Sequence, residues 1–145
     1  MRRGAEPFRY RAFTLGSHLA KSGPSASIMA KLRGWDFDVF QTSEELERSN
    51  NNSYVVLGFG IFKDSGLLSC YKIDAVTLCN FLFEIQAGYI DSNPYHNSLH
   101  GIDVAQTVCK KAHFGFRFVM NLSYRRNQAN VLCFFSVSLR LRIFV

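Results

Sequence analysis

Asn93-Pro94-Tyr95-His96-Asn97-Ser98-Leu99-His100-Gly101-Ile102-Asp103-Val104-Ala105-Gln106-Thr107 is the stretch from which the rest of the chain can be read. Leu99, Ile102, Val104 and Val108 supply apolar positions that predict a helix from Asn97 to about Lys111. Residues four apart on a helix share a face, with Cβ atoms about 5–6 Å apart. His96 and His100 have that spacing, and Asp103, three residues past His100, falls on the same side. Two imidazoles and a carboxylate arranged like this suit a divalent metal or acid–base chemistry. By spacing alone, a chance His-x-x-x-His pair is an equal explanation. The metalloprotease pattern is excluded, because it needs Glu after the first histidine and Asn97 stands there. Pro94 fixes the entry to the helix and puts His96 in its first turn.

Upstream, Asp74 to Tyr89 reads as a helix. Asp74 is a good N-cap. Val76, Leu78, Cys79, Leu82, Phe83, Ile85 and Tyr89 cover so much of the circumference that the helix should be buried on more than one side. Tyr54 to Lys63 is ambiguous: Val55, Val56, Gly58 and Gly60 are poor helix formers, yet Val55, Phe59 and Phe62 have helical spacing. Asp64-Ser65-Gly66 ends that element, with Gly66 as a C-terminal cap. Asn50-Asn51-Asn52-Ser53 interrupts an earlier helix. That helix is expected to start at Thr42, with Glu45 completing a capping box. Trp35, Phe37, Val39 and Phe40 form an apolar cluster expected to pin its segment onto the core.

Charge divides the 145 residues into three. Residues 1–33 carry seven basic residues against Glu6, and residues 34–109 three basic against ten acidic. Residues 110–145 carry seven basic and no acidic residue. The first segment reads as a disordered basic leader with a loop at Gly23-Pro24. Its Arg, Ser and Ala content leaves an organelle transit peptide as the alternative. The basic residues lie outside the organised middle, so the overall basic charge is no argument for nucleic-acid binding. Cys70, Cys79, Cys109 and Cys133 are widely spaced, which fits neither a disulfide framework nor a zinc ribbon and points to a reducing, cytoplasmic compartment. No apolar run reaches the roughly 18–20 residues of a membrane span.

Beyond the signature stretch the period changes. Phe114, Phe116, Phe118, Met120, Leu122 and Tyr124 alternate with other residues, and Val137, Leu139, Leu141, Ile143 and Val145 alternate again. Period two predicts strands. The tail over 110–145 is therefore either irregular and β-like or sequence foreign to the domain before it, from an alternative transcript or a misassigned reading frame.

Residues 93–107 resemble the signature of the class I 3′,5′-cyclic-nucleotide phosphodiesterases. The resemblance extends upstream through Trp35-Asp36-Phe37-Asp38-Val39-Phe40, Ile61-Phe62, Gly66-Leu67-Leu68 and Tyr71-Lys72-Ile73, followed by Leu78, Phe81-Leu82, Ile85 and Tyr89. It covers about 34–109. It implies an all-α fold, of which this chain holds the N-terminal helices. It also implies two divalent metals, zinc with magnesium or manganese, that share a hydroxide attacking the phosphate of cyclic AMP or cyclic GMP. Such a pair of cations keeps the nucleophile ionised and neutralises charge building on the phosphate. By resemblance His96 is the proton donor to the departing O3′, a role that imidazole suits, and His100 is a zinc ligand. Tyr95 and Asn97 flank the acid and contact the substrate side, and Asp103 orients the helix.

The resemblance then stops. The family's further ligands, a later His-Asp pair and a still later Asp, have no counterpart here. No acidic residue follows Asp103, and the one later histidine, His113, is followed by Phe114. One neutral imidazole does not hold a catalytic metal firmly, so the full metal site is not present in this chain. The expectation is a fragment of such an enzyme, inactive alone. The alternatives are a non-catalytic regulatory fragment that associates with a full-length phosphodiesterase, or a basic-tailed protein that binds membrane or nucleic acid through Arg117, Arg125, Arg126, Arg140 and Arg142.

Overall fold

The computed structural model describes the backbone of residues 5–90 and 92–119 and the side chains of residues 13–90 and 92–110. Among the described residues there are seven helices and no strand, so the described part of the chain is all-α, as the resemblance implied. They are α1 (Ala5–Ser22), α2 (Ala26–Arg33), α3 (Val39–Arg48), α4 (Ser53–Asp64), α5 (Leu67–Tyr71), α6 (Ala75–Gln86) and α7 (Ser98–Val119).

The ambiguous segment at 54–63 is the centre of the fold. Asn52 starts α4 by accepting a 2.8 Å hydrogen bond from the Val55 amide. Every residue from Ser53 to Phe62 is buried, and α2, α3, α5, α6 and α7 all pack on this helix. A helix apolar all round is a core helix. Its two glycines then have a packing reason. A Cβ on Gly58 would lie 2.9 Å from Leu82 Cδ2, and one on Gly60 would lie 2.6 Å from Leu32 Cδ1. Each glycine costs about 1 kcal/mol of helix propensity and lets α6 or α2 close directly onto the α4 backbone.

α6 follows the sequence reading. Asp74 Oδ2 accepts from the Thr77 amide at 2.8 Å. The backbone and hydroxyl hydrogen bonds from Thr77 hold this carboxyl below its ordinary pKa. Leu78, Cys79, Leu82, Phe83 and Ile85 are buried. Gly66, in the left-handed region, ends α4 by donating to the Lys63 carbonyl.

Four expectations change. Residues 5–33, expected as a disordered leader, form α1 and α2. Leu19, Ile28, Met29 and Leu32 are buried, and α1 lies along α6. The basic composition hid an apolar stripe, and two of its charges meet acids of the middle segment. Lys31 Nζ bonds Glu45 Oε1 at 2.6 Å, and Arg33 Nε bonds Asp64 Oδ1 at 2.6 Å. Such partly exposed pairs contribute about 0–1 kcal/mol each, so apolar packing is what holds α2 in place.

The α3 start moves from Thr42 to Val39. Asp38 Oδ1 accepts from the Gln41 amide at 2.9 Å, while the Thr42 hydroxyl donates to the Asp38 carbonyl. With Asp38 capping one turn earlier, Glu45 is left to pair with Lys31. In the apolar cluster before α3, Val39 is buried and Phe37 packs against the core. Trp35 and Phe40, expected to pin the segment, are 63% and 66% exposed. Lys110 Nζ lies 5.7 Å from the Trp35 ring centroid.

The fourth change is at the tail. The strand expected from Phe114 is helix as far as Val119, continuous with α7 across Lys110. Alternation is a packing pattern that needs a neighbouring strand, whereas extending an existing helix adds one hydrogen bond per residue fixed. The alternating run at 137–145 lies outside the described residues. No helix among the described residues is long and apolar enough to cross a membrane. Cys79 is buried and Cys109 half-buried, and burial pushes their thiols up to about 11 and about 12. Both behave as small hydrophobes rather than nucleophiles.

Candidate active site

α7 begins two residues later than His96. Asn97 is its N-cap. Its Oδ1 accepts from the His100 amide at 3.1 Å, and its carbonyl accepts from the Gly101 amide at 3.1 Å. Its Nδ2 reaches back to the Asn93 carbonyl at 3.1 Å. One side chain thus ties the Pro94 loop to the first turn of the helix. The helix expected from Asn97 starts within one residue of that position, but His96, expected in its first turn, is not in it, because Pro94 is followed here by bends rather than by a helical turn. His96 therefore stands just outside the helix, immediately before the cap, while His100 stands inside it.

The two imidazoles still converge, because the loop folds back over the helix end. Their ring centroids lie 5.9 Å apart. Tyr95 completes the group: its ring centroid is 4.4 Å from His100 and 5.0 Å from His96, edge-on to the latter. Tyr95 and His96 are exposed, and Asn97, His100 and Asp103 are half-buried. All four site residues singled out from the sequence, Tyr95, His96, Asn97 and His100, are therefore at one end of one helix, open to solvent. That end of α7 carries the positive pole of the helix dipole, which favours an anionic group such as a phosphate.

The inner side of α7 anchors the arrangement. Ile102 and Ala105 are buried against the core. Gln106 is buried, and its Nε2 donates to the carbonyls of Leu32 at 2.9 Å and Gly34 at 3.2 Å. It satisfies the open C-terminal end of α2, where helix carbonyls lack partners. This contact joins residues far apart in the chain, and no local pattern reveals it. Ahead of α7, Tyr89 packs beside Tyr54 with ring centroids 6.0 Å apart.

Among the described residues, no group of three or more His, Cys, Asp or Glu side chains is placed to hold a metal ion. His96 and His100 place two imidazoles at this end of α7. That donor set does not fit a two-metal centre, which takes several carboxylates and imidazoles together.

An exposed histidine thus stands ahead of a capped helix, with a second imidazole inside the first turn of that helix. Over 82 residues the chain is 33% identical to the cGMP-inhibited 3′,5′-cyclic phosphodiesterase 3A of Mus musculus, a stretch that is 57% of this chain and 7% of the relative. The protein of the same description from Homo sapiens is also 33% identical over 82 residues. The 3′,5′-cyclic-AMP phosphodiesterase 4 of Dictyostelium discoideum is 37% identical over 90 residues, 62% of this chain and 8% of the relative. These matches establish a relationship to cyclic-nucleotide phosphodiesterases over that part of the chain, which spans less than a tenth of the length of the relatives. No family model matches, and no solved structure matches.

Proposed function

We propose that this chain carries the proton-donor side of a cyclic-nucleotide phosphodiesterase site and does not complete that site by itself. The observation that best supports this is the Tyr95–His96–His100 ring group, held at the start of α7 by the Asn97 cap. In the proposed reaction a water oxygen bonds to the phosphorus of cyclic AMP or cyclic GMP as the phosphorus–O3′ bond breaks. The departing O3′ takes a proton from His96, and the proton lost by the water returns to solvent and restores the histidine. A leaving alkoxide needs such a donor within about 2.6–3.2 Å, and the exposure of His96 leaves room for substrate to reach it. Tyr95 offers a ring face and a hydroxyl beside the acid. Asn97 uses one amide hydrogen on Asn93 and keeps its second for the substrate side.

His100 is proposed as this chain's metal ligand. The family resemblance implies two divalent metals, zinc with magnesium or manganese, but the described donors do not fit them, so no step is drawn through a metal here. The boundaries at 34 and 110 belong to the same proposal, with the helices between them as the part shared with phosphodiesterases. The exposed Trp35 and Phe40 favour a second reading, in which the chain associates with a full-length phosphodiesterase as a non-catalytic fragment.

The test is reconstitution. The purified chain with zinc and magnesium should show no hydrolysis of cyclic AMP or cyclic GMP above the metal-ion background. Mixed with the remaining part of a related phosphodiesterase catalytic domain, it should gain turnover that falls about 10²–10⁴-fold in His96→Ala, the usual worth of a general acid. Hydrolysis by the chain alone, abolished in His96→Ala, overturns the incomplete-site reading. A reconstituted enzyme indifferent to His96→Ala overturns the proton-donor role. Co-purification with the full-length relative, without any gain in turnover, favours the second reading.

A further inference from the structure

Tyr89 lies after the end of α6, three residues past Gln86, and its amide donates to the Gln86 carbonyl. Its side chain reaches across to the first turn of α7. A Cβ built on Gly101 would lie 2.5 Å from the Tyr89 hydroxyl oxygen and 3.0 Å from its Cζ. Real Cβ contacts do not come so close, so the hydroxyl occupies space that exists only because residue 101 has no side chain. Gly101 adjoins His100 in the chain, and its amide is the one bonded to the Asn97 carbonyl.

Behind Tyr89 stands Tyr54 of α4, 2% exposed. The rings are tilted at 56°. Burial first, and then the neighbouring Tyr89 with its hydrogen bond, raise the Tyr54 pKa above the ordinary phenol value. Tyr54 thus stays neutral, with its ring packed against that of Tyr89. The chain of contact runs from the most buried helix of the fold, through the Tyr54 and Tyr89 rings, to the backbone beside His100.

We propose that Tyr89 is a positioning residue for the candidate site: its hydroxyl, braced by Tyr54 and seated on Gly101, sets where the first turn of α7 lies and so where His100 meets Tyr95 and His96. The proposal draws its purpose from the phosphodiesterase reading. Its tests are structural, however, and they succeed or fail whether or not turnover is ever found.

Two measurements on the full 145-residue chain decide it. The first is nuclear Overhauser contact between the Tyr95 and His100 rings. In Gly101→Ala the new methyl displaces either Tyr89 or the helix turn, and this contact should weaken several-fold. Tyr89→Phe placed in the same chain removes the oxygen that clashes, leaving Cζ at a distance that a small shift relieves. The double variant should therefore recover most of the ring contact. Such rescue is not expected if Gly101 and Tyr89 act as unrelated structural positions. The second measurement is amide hydrogen exchange. Tyr89→Phe alone removes the atom seated at the Gly101 turn and should speed exchange at His100 several-fold, while amides in the middle of α4 keep their rates. Three results overturn the proposal. They are a Gly101→Ala chain with unchanged ring contact, a double variant as perturbed or as unfolded as Gly101→Ala alone, and a Tyr89→Phe chain that either exchanges at His100 like the parent or unfolds globally.

Discussion

α4 and the segment from Asn93 to His100 stand at opposite extremes of the same molecule. α4 has ten consecutive buried residues and carries none of the candidate site residues. The segment 93–100 has no buried residue and carries every candidate site side chain. The contrast separates where stability resides from where reactivity resides. A solvent-open loop keeps two imidazoles and a tyrosine in register because the layer beneath it is rigid. Gln106 fastens α7 to the end of α2, and Tyr89 bridges from Tyr54 to Gly101. The site therefore borrows its order from a core to which it contributes little.

That division can be broken most forcefully from the α4 side. Phe62 is 1% exposed, and Phe62→Ala should destabilise the chain by about 3–5 kcal/mol, the range for truncating a buried aromatic. Chemical unfolding measured by circular dichroism checks this. A loss below 1 kcal/mol would mean that α4 is not the centre of the core. Gln106→Ala should have an intermediate effect, about 1–3 kcal/mol, because it leaves buried polar groups at the α2 end without their partner. The same unfolding experiment reads it, and amide exchange in α2 should rise along with it. His96→Ala should have the smallest effect, within about 0.5 kcal/mol, as for exposed substitutions away from caps and core. A large loss of stability there would make His96 a structural residue and erase the contrast.

Local rules carried some elements and not others. The α6 start was legible because Asp74 satisfies its own helix end within three residues. The Asn52 region was legible as a break, and it proved to be a cap as well. The α3 start was misplaced because Asp38 and Thr42 are both competent caps, and propensity does not rank them once the chain around Val39 is buried. The leader was misread because charge dominates its composition, although the residues that matter, Leu19, Ile28, Met29 and Leu32, are a minority arranged on one side. The candidate site was legible in its members. Its geometry was not, since His96 reaches His100 through a folded-back loop instead of a shared helix face.

Residue order alone determined that the stretches from Asp74 and from Asn97 are helical and which side chains are candidates for a site. These depend on neighbours a few residues away, and such neighbours are written next to one another. Tertiary structure alone decided that an ambiguous, glycine-bearing segment is the core helix, that the basic leader packs, and that Tyr89 sits on Gly101. Each of these turns on a contact between residues distant in the chain, where the space available, and not local propensity, selects the outcome.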